Sequence, residues 1–160
     1  MALLLKNLLF TLVVSGTVAV YVPFLLAENR SPTLGVVSVI AFALLVMGVA
    51  IYAWCVWDFA TFGRGTPLPI DAPKKLIVRG LYRYTRNPMY VGVLTVILCW
   101  AVMFQSVVLV LYALVVGTLF HLFVVIYEEP HLQRVFGSEY DNYRSQVGRW
   151  LPKLSRGPTA

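Results

Sequence analysis

The chain has 160 residues, one domain's length, of which 59% are hydrophobic and 12% charged, with a mean hydropathy of +0.78. Soluble domains carry about a quarter charged residues, so composition excludes an ordinary soluble fold and indicates an all-α integral membrane protein. The formal charge of +6 is no sign of nucleic acid, because the cations sit beside apolar runs, where an anionic membrane surface is the simpler partner.

The first apolar run, Leu8 to Ala27, is 20 residues without a charge, enough to span about 30 Å of hydrocarbon. Pro23 is placed to kink it. A cleaved signal peptide is the rival reading, but the run exceeds the usual apolar core of about 7–15 residues. Leu25 also stands where a cleavage site needs a small residue. A polar break, Glu28 to Thr33, leads to a second uncharged run, Leu34 to Trp57, which closes on Trp54 and Trp57 as an interface does. The polar segment 58–88, rich in Gly and Pro, is the longest loop. Its interspersed apolar and aromatic residues predict order, including a rigid GRGTPLP loop (Gly63 to Pro69) over a pocket. That loop lacks the Lys-Ser/Thr ending of a phosphate loop.

From Met89 to Tyr127 the chain runs 39 residues without Asp, Glu, Lys or Arg, too many for one crossing. Gln105-Ser106 is its most polar point, so the pattern predicts a hairpin of two helices, 89–104 and 107–127. The tail, 128–160, carries Leu132, Val135, Phe136, Tyr140, Tyr143, Val147 and Trp150 at helical intervals with a break near Gly137. This amphipathic stripe can lie on the membrane or against the bundle.

The charges agree with four spans in a single domain, 1–160. The N-terminus, the long loop and the tail hold 12 of the 13 cations, leaving only Arg30 in the first short loop. The positive-inside rule makes their side cytoplasmic, with both termini in the cytoplasm of a bacterial inner membrane or its equivalent. Cys55 and Cys99 lie inside apolar runs without metal-ligand or redox spacing, so they read as small packing residues, and no metal site is expected.

Two polar clusters flank the last hairpin: RGLYRYTRNPMY before it and YEEPHLQRVFG after it. Both ends of a hairpin lie on one side of the membrane, so Asn87, Tyr90, Glu128 and Glu129 should be neighbours. Adjacent carboxylates on a helix point about 100° apart. One can face a pocket and the other solvent or an arginine. A carboxylate accepts ribose hydroxyls well, and tyrosines offer faces for a base. A nucleoside-like ligand fits these parts. The plainer alternative pairs Arg83 and Arg86 with the two glutamates and makes the tyrosines an interfacial belt.

Gly80, Tyr82, Arg86, Asn87, Pro88, Tyr90 and Gly92, followed after the hairpin by Glu128, Glu129, Leu132, Phe136, Gly137, Tyr140, Tyr143, Val147, Arg149, Trp150 and Pro152, resemble the integral-membrane methyltransferases. These comprise the isoprenylcysteine carboxyl methyltransferases and the phospholipid N-methyltransferases. The likeness covers roughly Gly63 to Pro152. It implies S-adenosyl-L-methionine as donor, held on the cytoplasmic side by Lys75, Leu76 and Ile77 (the segment beginning at Lys74), by Tyr82, Arg86, Asn87, Pro88, Met89 and Tyr90, and by Glu128 and Glu129. Many members carry His where this chain has Asn87, which binds but does not titrate.

Methyl transfer from a sulfonium is an in-line displacement in which positive charge disperses, so dryness and alignment matter more than acid–base groups. No catalytic residue is assigned. The resemblance implies a lipidic or prenylated acceptor entering from the bilayer, with carboxyl O-methylation as the leading expectation and phospholipid amine N-methylation as the alternative. A third reading is a silent scaffold or accessory protein that keeps the fold. His121, two turns before Glu128, is the candidate substrate contact. Its rival role is a hydrogen bond within the bundle.

Overall fold

The structure, a computed structural model, describes residues 11–63 and 75–153. The start of the first run (8–10), the loop residues 64–74 with Lys74 and most of GRGTPLP, and the tail beyond Lys153 lie outside the described residues. Among the described residues all regular elements are helical, and extended pairing is limited to one parallel bridge, Thr85 to Gly148.

Four apolar helices appear where the runs predict them. They are α1 (Val13–Ala27), α2 (Val36–Asp58), α3 (Pro88–Met103) and α4 (Val107–Phe123). Two of them, each counted with its continuation, are long and apolar enough to cross a membrane: Val36–Phe62 and Val107–Phe136. α3, with 16 residues, rises about 24 Å and is short for a straight crossing. α1 is wound wide through Thr11–Ser15 and Thr17–Tyr21 before a regular turn at Val22–Ala27. Two further wide turns, Phe59–Gly63 and Val124–Glu128, extend α2 and α4.

The second of these corrects the expected boundary at residue 127. The helix runs on through Val124–Glu128 into α5 (Glu129–Phe136), so the two glutamates stand inside a continuous helix rather than at its end. Pro130 cannot donate a backbone hydrogen bond and crowds the carbonyl four residues earlier. The widened turn just before it accommodates the proline without ending the helix.

The hairpin between α3 and α4 turns at the predicted point. Gln105 takes a φ of 45°, and Ser106 caps α4 by accepting from the Leu109 amide at 3.4 Å. α2 and α3 touch at two glycines. A Cβ on Gly92 would stand 3.0 Å from the Gly48 carbonyl oxygen, and one on Gly48 would stand 2.8 Å from the Gly92 carbonyl oxygen. Small residues allow this backbone approach, the usual means of packing helices in lipid. Ala19, Val93, Val96, Ile97, Ala113 and Val116 join α1, α3 and α4 in one core cluster. Val36, Val39, Phe42, Val46 and Val49 of α2 remain exposed, an outer face suited to hydrocarbon.

Beyond α5, Gly137 (φ 52°) turns the chain into α6 (Ser138–Gln146). The predicted stripe packs inward. Tyr140, Tyr143 and Val147 are buried against Leu76, Leu132 and Phe136, while Val135 is exposed. The tail is therefore clamped to the loop at Leu76.

Candidate functional site

The segment before α3 is held in place from several sides. Gly80 adopts a φ of +56°, and a Cβ there would lie 2.5 Å from Asp58 Oδ2, so only glycine fits this turn. The following turn, Gly80–Arg83, buries Tyr82 between Cys55, Phe59 and Ile77. Thr85 then pairs with Gly148, and the Arg86 amide donates to the Gly148 carbonyl at 2.9 Å. The Thr85 hydroxyl and Asn87 Nδ2 both donate to the Arg149 carbonyl, at 2.9 and 3.1 Å. Asn87 stands at the cap position of α3 but makes no cap bond with its side chain. Its side chain joins the tail instead. Pro88 follows in the first turn, where a missing N–H costs nothing.

The adjacent glutamates divide as their 100° separation requires. Glu128 Oε2 accepts the Tyr90 hydroxyl at 2.8 Å. Glu129 turns away to two arginines. Arg149 meets it with a fork, Nε to Oε1 at 2.7 Å and Nη2 to Oε2 at 2.9 Å, and Arg86 Nη1 reaches Oε1 at 2.9 Å. The Glu129 hydrogen bonds hold the Arg149 guanidinium above its ordinary range. Arg86 Nη1 also donates to the Tyr140 hydroxyl at 3.0 Å, whereas Arg86 Nε is buried without a partner. Tyr143 donates to the Tyr82 carbonyl at 2.7 Å. Burial holds the Tyr82 and Tyr143 phenols well above their usual range, and burial with the Glu129 charge shifts the Tyr140 phenol upward. These tyrosines act as neutral hydrogen-bonding groups.

A partly open cavity of about 120 Å³ lies among these residues. Tyr82, Arg86, Asn87, Met89, Tyr90 and Glu128 line its loop-and-tail side. These six candidates, drawn from both sequence clusters, are brought together. The others are placed differently. Glu129 stands behind Arg86 as its counter-charge. Pro88 is buried in the first turn of α3. Lys75 is exposed, Leu76 packs on the tail cluster, and Ile77 packs behind Tyr82. His121 faces an outer groove between α3 and α4 and accepts the Trp150 indole N–H at Nδ1, 3.1 Å away. Of the plainer alternative, the Arg86–Glu129 pair is present, while Glu128 bonds a tyrosine and Arg83 is exposed.

The rest of the lining was not read from the sequence. It comprises Val14, Ser15 and Val18 of α1, Tyr52 of α2 with Phe59 just beyond it, Val93 of α3 and Phe120 of α4. Ser15 and Tyr52 share a 2.8 Å hydrogen bond. A serine and a tyrosine hydroxyl inside otherwise apolar runs were the available signal. Ser15, Val18, Phe59 and Glu128 all lie in wide turns, which re-aim side chains and recur at functional sites.

The pieces suit a nucleoside-sulfonium ligand. The orphaned Arg86 N–H can take a carboxylate, Glu128 can take hydroxyl donors, and Tyr82, Tyr90 and Phe59 supply ring faces. Among the described residues no group of His, Cys, Asp and Glu could hold a metal.

A methanethiol S-methyltransferase of Pseudomonas deceptionensis is 38% identical over 78 residues, 49% of this chain and 29% of that protein. Another methanethiol S-methyltransferase, from Crocosphaera subtropica, is 32% identical over 91 residues, 57% of this chain and 32% of that protein. The aligned stretches thus span about a third of the length of these relatives. Residues 36–139, well over half of the chain and both motifs up to the start of α6, match the phospholipid methyltransferase family. The chain therefore belongs to the phospholipid methyltransferase family of membrane methyltransferases.

Proposed function

We propose that this protein is an S-adenosyl-L-methionine-dependent methyltransferase whose donor occupies the loop-and-tail side of the cavity and whose acceptor is a lipophilic molecule entering from the bilayer. The observation that carries the reading is the convergence of Tyr82, Arg86, Asn87 and Tyr90 with Glu128 on one cavity across a hairpin. Bound there, the donor supplies a methyl group already activated by the sulfonium. The residues bind, align and exclude water. Arg86 Nε receives a carboxylate, Glu128 receives hydroxyls, and the rings of Tyr82, Tyr90 and Phe59 keep the site apolar. The tyrosines stay protonated, and Asn87 carries no proton to exchange. Positioning, rather than acid–base catalysis, does the work.

In this reading the four apolar helices all span a bacterial inner membrane as a single domain, with the long loop, the tail and both termini on the cytoplasmic side. The acceptor in this reading is lipidic or prenylated, with carboxyl O-methylation as the leading case and phospholipid amine N-methylation as the alternative. A small thiol is the second reading. It is supported by the names of the two relatives.

The deciding experiment uses purified protein with methyl-labelled donor and three acceptors in parallel: a prenylated cysteine, an extract of membrane phospholipids and an alkanethiol. Calorimetric titration with S-adenosylhomocysteine runs alongside. Saturable binding and label in one acceptor are expected. Absence of binding by the folded protein would return the fold to a scaffold role.

A further inference from the structure

A second hollow lies on the outside of the bundle, between α3 and α4. Leu94 and Leu98 of α3 form one bank and Val110, Leu114 and Gly117 of α4 the other, with His121 at the loop-side end. Gly117 sets its depth. The glycine is helical, without a positive φ. Among the described residues, a Cβ there would meet only side-chain carbons of Leu94, at 3.7 Å, an ordinary contact. Glycine weakens a helix relative to alanine, and here no close approach of a neighbouring backbone requires it. What it leaves is open space along α4.

From Val110 to His121 the groove runs about 16 Å at 1.5 Å per residue. One leaflet of a bilayer's hydrocarbon core is about 15 Å deep, and a spanning helix of a second copy would be about twice as long. A single hydrocarbon chain matches the length. The loop-side end also abuts the cavity. Phe120 lines the cavity, and the next residue, His121, lines the groove. Trp150 joins the two: its indole N–H donates to His121 Nδ1 at 3.1 Å, and its ring meets Tyr90 edge-on with centroids 6.4 Å apart. Tyr90 lines the cavity, 4.7 Å from Phe120 between centroids. A chain lying in the groove therefore brings its head to the aromatic wall of the cavity.

We propose that this groove seats the hydrocarbon chain of the methyl acceptor, and that Gly117 sets how closely the chain fits. This inference rests on the methyltransferase reading above and adds to it where the acceptor's chain lies. Bilayer tails are as apolar as the groove walls, so the hydrophobic effect gives the groove no advantage over lipid. What it offers is dispersion contact from both banks and a fixed direction for the head.

The full chain in nanodiscs is assayed with methyl-labelled S-adenosyl-L-methionine and with butyl and dodecyl thiols, amines and carboxylates. Wild type, Gly117→Leu, Gly117→Ala and Val115→Leu are compared, Val115 being exposed on the same helix outside the groove lining. For whichever head is methylated, wild type should give the dodecyl acceptor the higher kcat/KM. Gly117→Leu should cut the dodecyl-to-butyl ratio roughly five- to thirtyfold, the worth of about ten lost carbon contacts. Gly117→Ala should cut it less, and Val115→Leu should hold it within twofold. Affinity for S-adenosylhomocysteine should stay within twofold throughout. A ratio unchanged in Gly117→Leu, or lowered equally by Val115→Leu, overturns the groove. If Gly117→Leu does not fold, an unchanged ratio in Gly117→Ala overturns it instead. Light scattering follows assembly: a wild-type dimer lost only in Gly117→Leu would assign the groove to a second copy and overturn the chain seat. Wild type that binds the donor product but favours no dodecyl acceptor overturns the chain seat while leaving the donor site standing. Wild type that binds no donor product overturns both.

Discussion

Replacing each adjacent glutamate by glutamine should separate two jobs that look identical in the sequence. Glu129 joins Arg86 and Arg149, with side-chain exposures of 11%, 9% and 33%. Removing one partner of a buried ion pair leaves a buried charge and costs about 3–5 kcal/mol. The Arg149 side is a third exposed, where pairs are worth about 1 kcal/mol or less, and Gln keeps one acceptor oxygen. The low end of the range applies, so Glu129→Gln should cost about 3 kcal/mol. At roughly 2–4 °C per kcal/mol for a domain of this size, the melting temperature falls by roughly 6–12 °C. Glu128→Gln retains an acceptor for the Tyr90 hydroxyl and should melt within a few degrees of wild type. It loses a charged hydrogen-bond partner for the donor, worth about 1.5–3 kcal/mol, so donor-product affinity falls roughly ten- to a hundredfold. Melting curves in detergent and calorimetric titration with S-adenosylhomocysteine measure both variants. Equal stability losses, or equal affinity losses, would refute the division of labour.

Asn87→Ala removes the bond to the Arg149 carbonyl and should weaken donor-product binding roughly three- to tenfold, measured by the same titration. Asn87→His should bind and add a step to the pH–rate profile between about pH 6 and 8, which wild type lacks at this position because Asn does not ionise. Gly92→Leu places a side chain where even a Cβ stands 3.0 Å from the Gly48 carbonyl. Overpacking costs about 1–3 kcal/mol, read as a lower melting temperature and poorer yield. Reporter fusions after Ala160 and within 28–33 test the topology: a C-terminal reporter active in the periplasm would refute cytoplasmic termini.

The features legible in the sequence are those that depend on local pattern. Uncharged runs marked the helices, Gln105-Ser106 marked the hairpin, and Gly137 marked the break in the tail. The motif half of the cavity was also legible, because a hairpin must return Glu128 to the neighbourhood of Tyr90. Wide turns were not legible. Their extra residue per turn leaves no compositional mark, so the boundary at 127 was drawn where the charges begin, and the helix runs through it. The α1 and α2 half of the cavity escaped for another reason. Nothing in the spacing of Ser15 and Tyr52, 37 residues apart, says that those helices meet there. The inward packing of the tail was one of two open readings, and the Tyr143 bond to the Tyr82 carbonyl is the contact that favours it.

The bridge between Thr85 and Gly148 also orders events during synthesis. Gly148 follows the end of α4 at Phe123 by 25 residues, so the hairpin is made before the segment that holds Asn87. Only when residues 147–149 fold back do the Arg86 amide and the Asn87 side chain gain the Gly148 and Arg149 carbonyls. A chain interrupted between the hairpin and Gly148 would keep the apolar helices and lack the two carbonyls that hold the start of α3. The helices and the clasp at the start of α3 are thereby laid down in sequence, and the short VGRW segment completes the second.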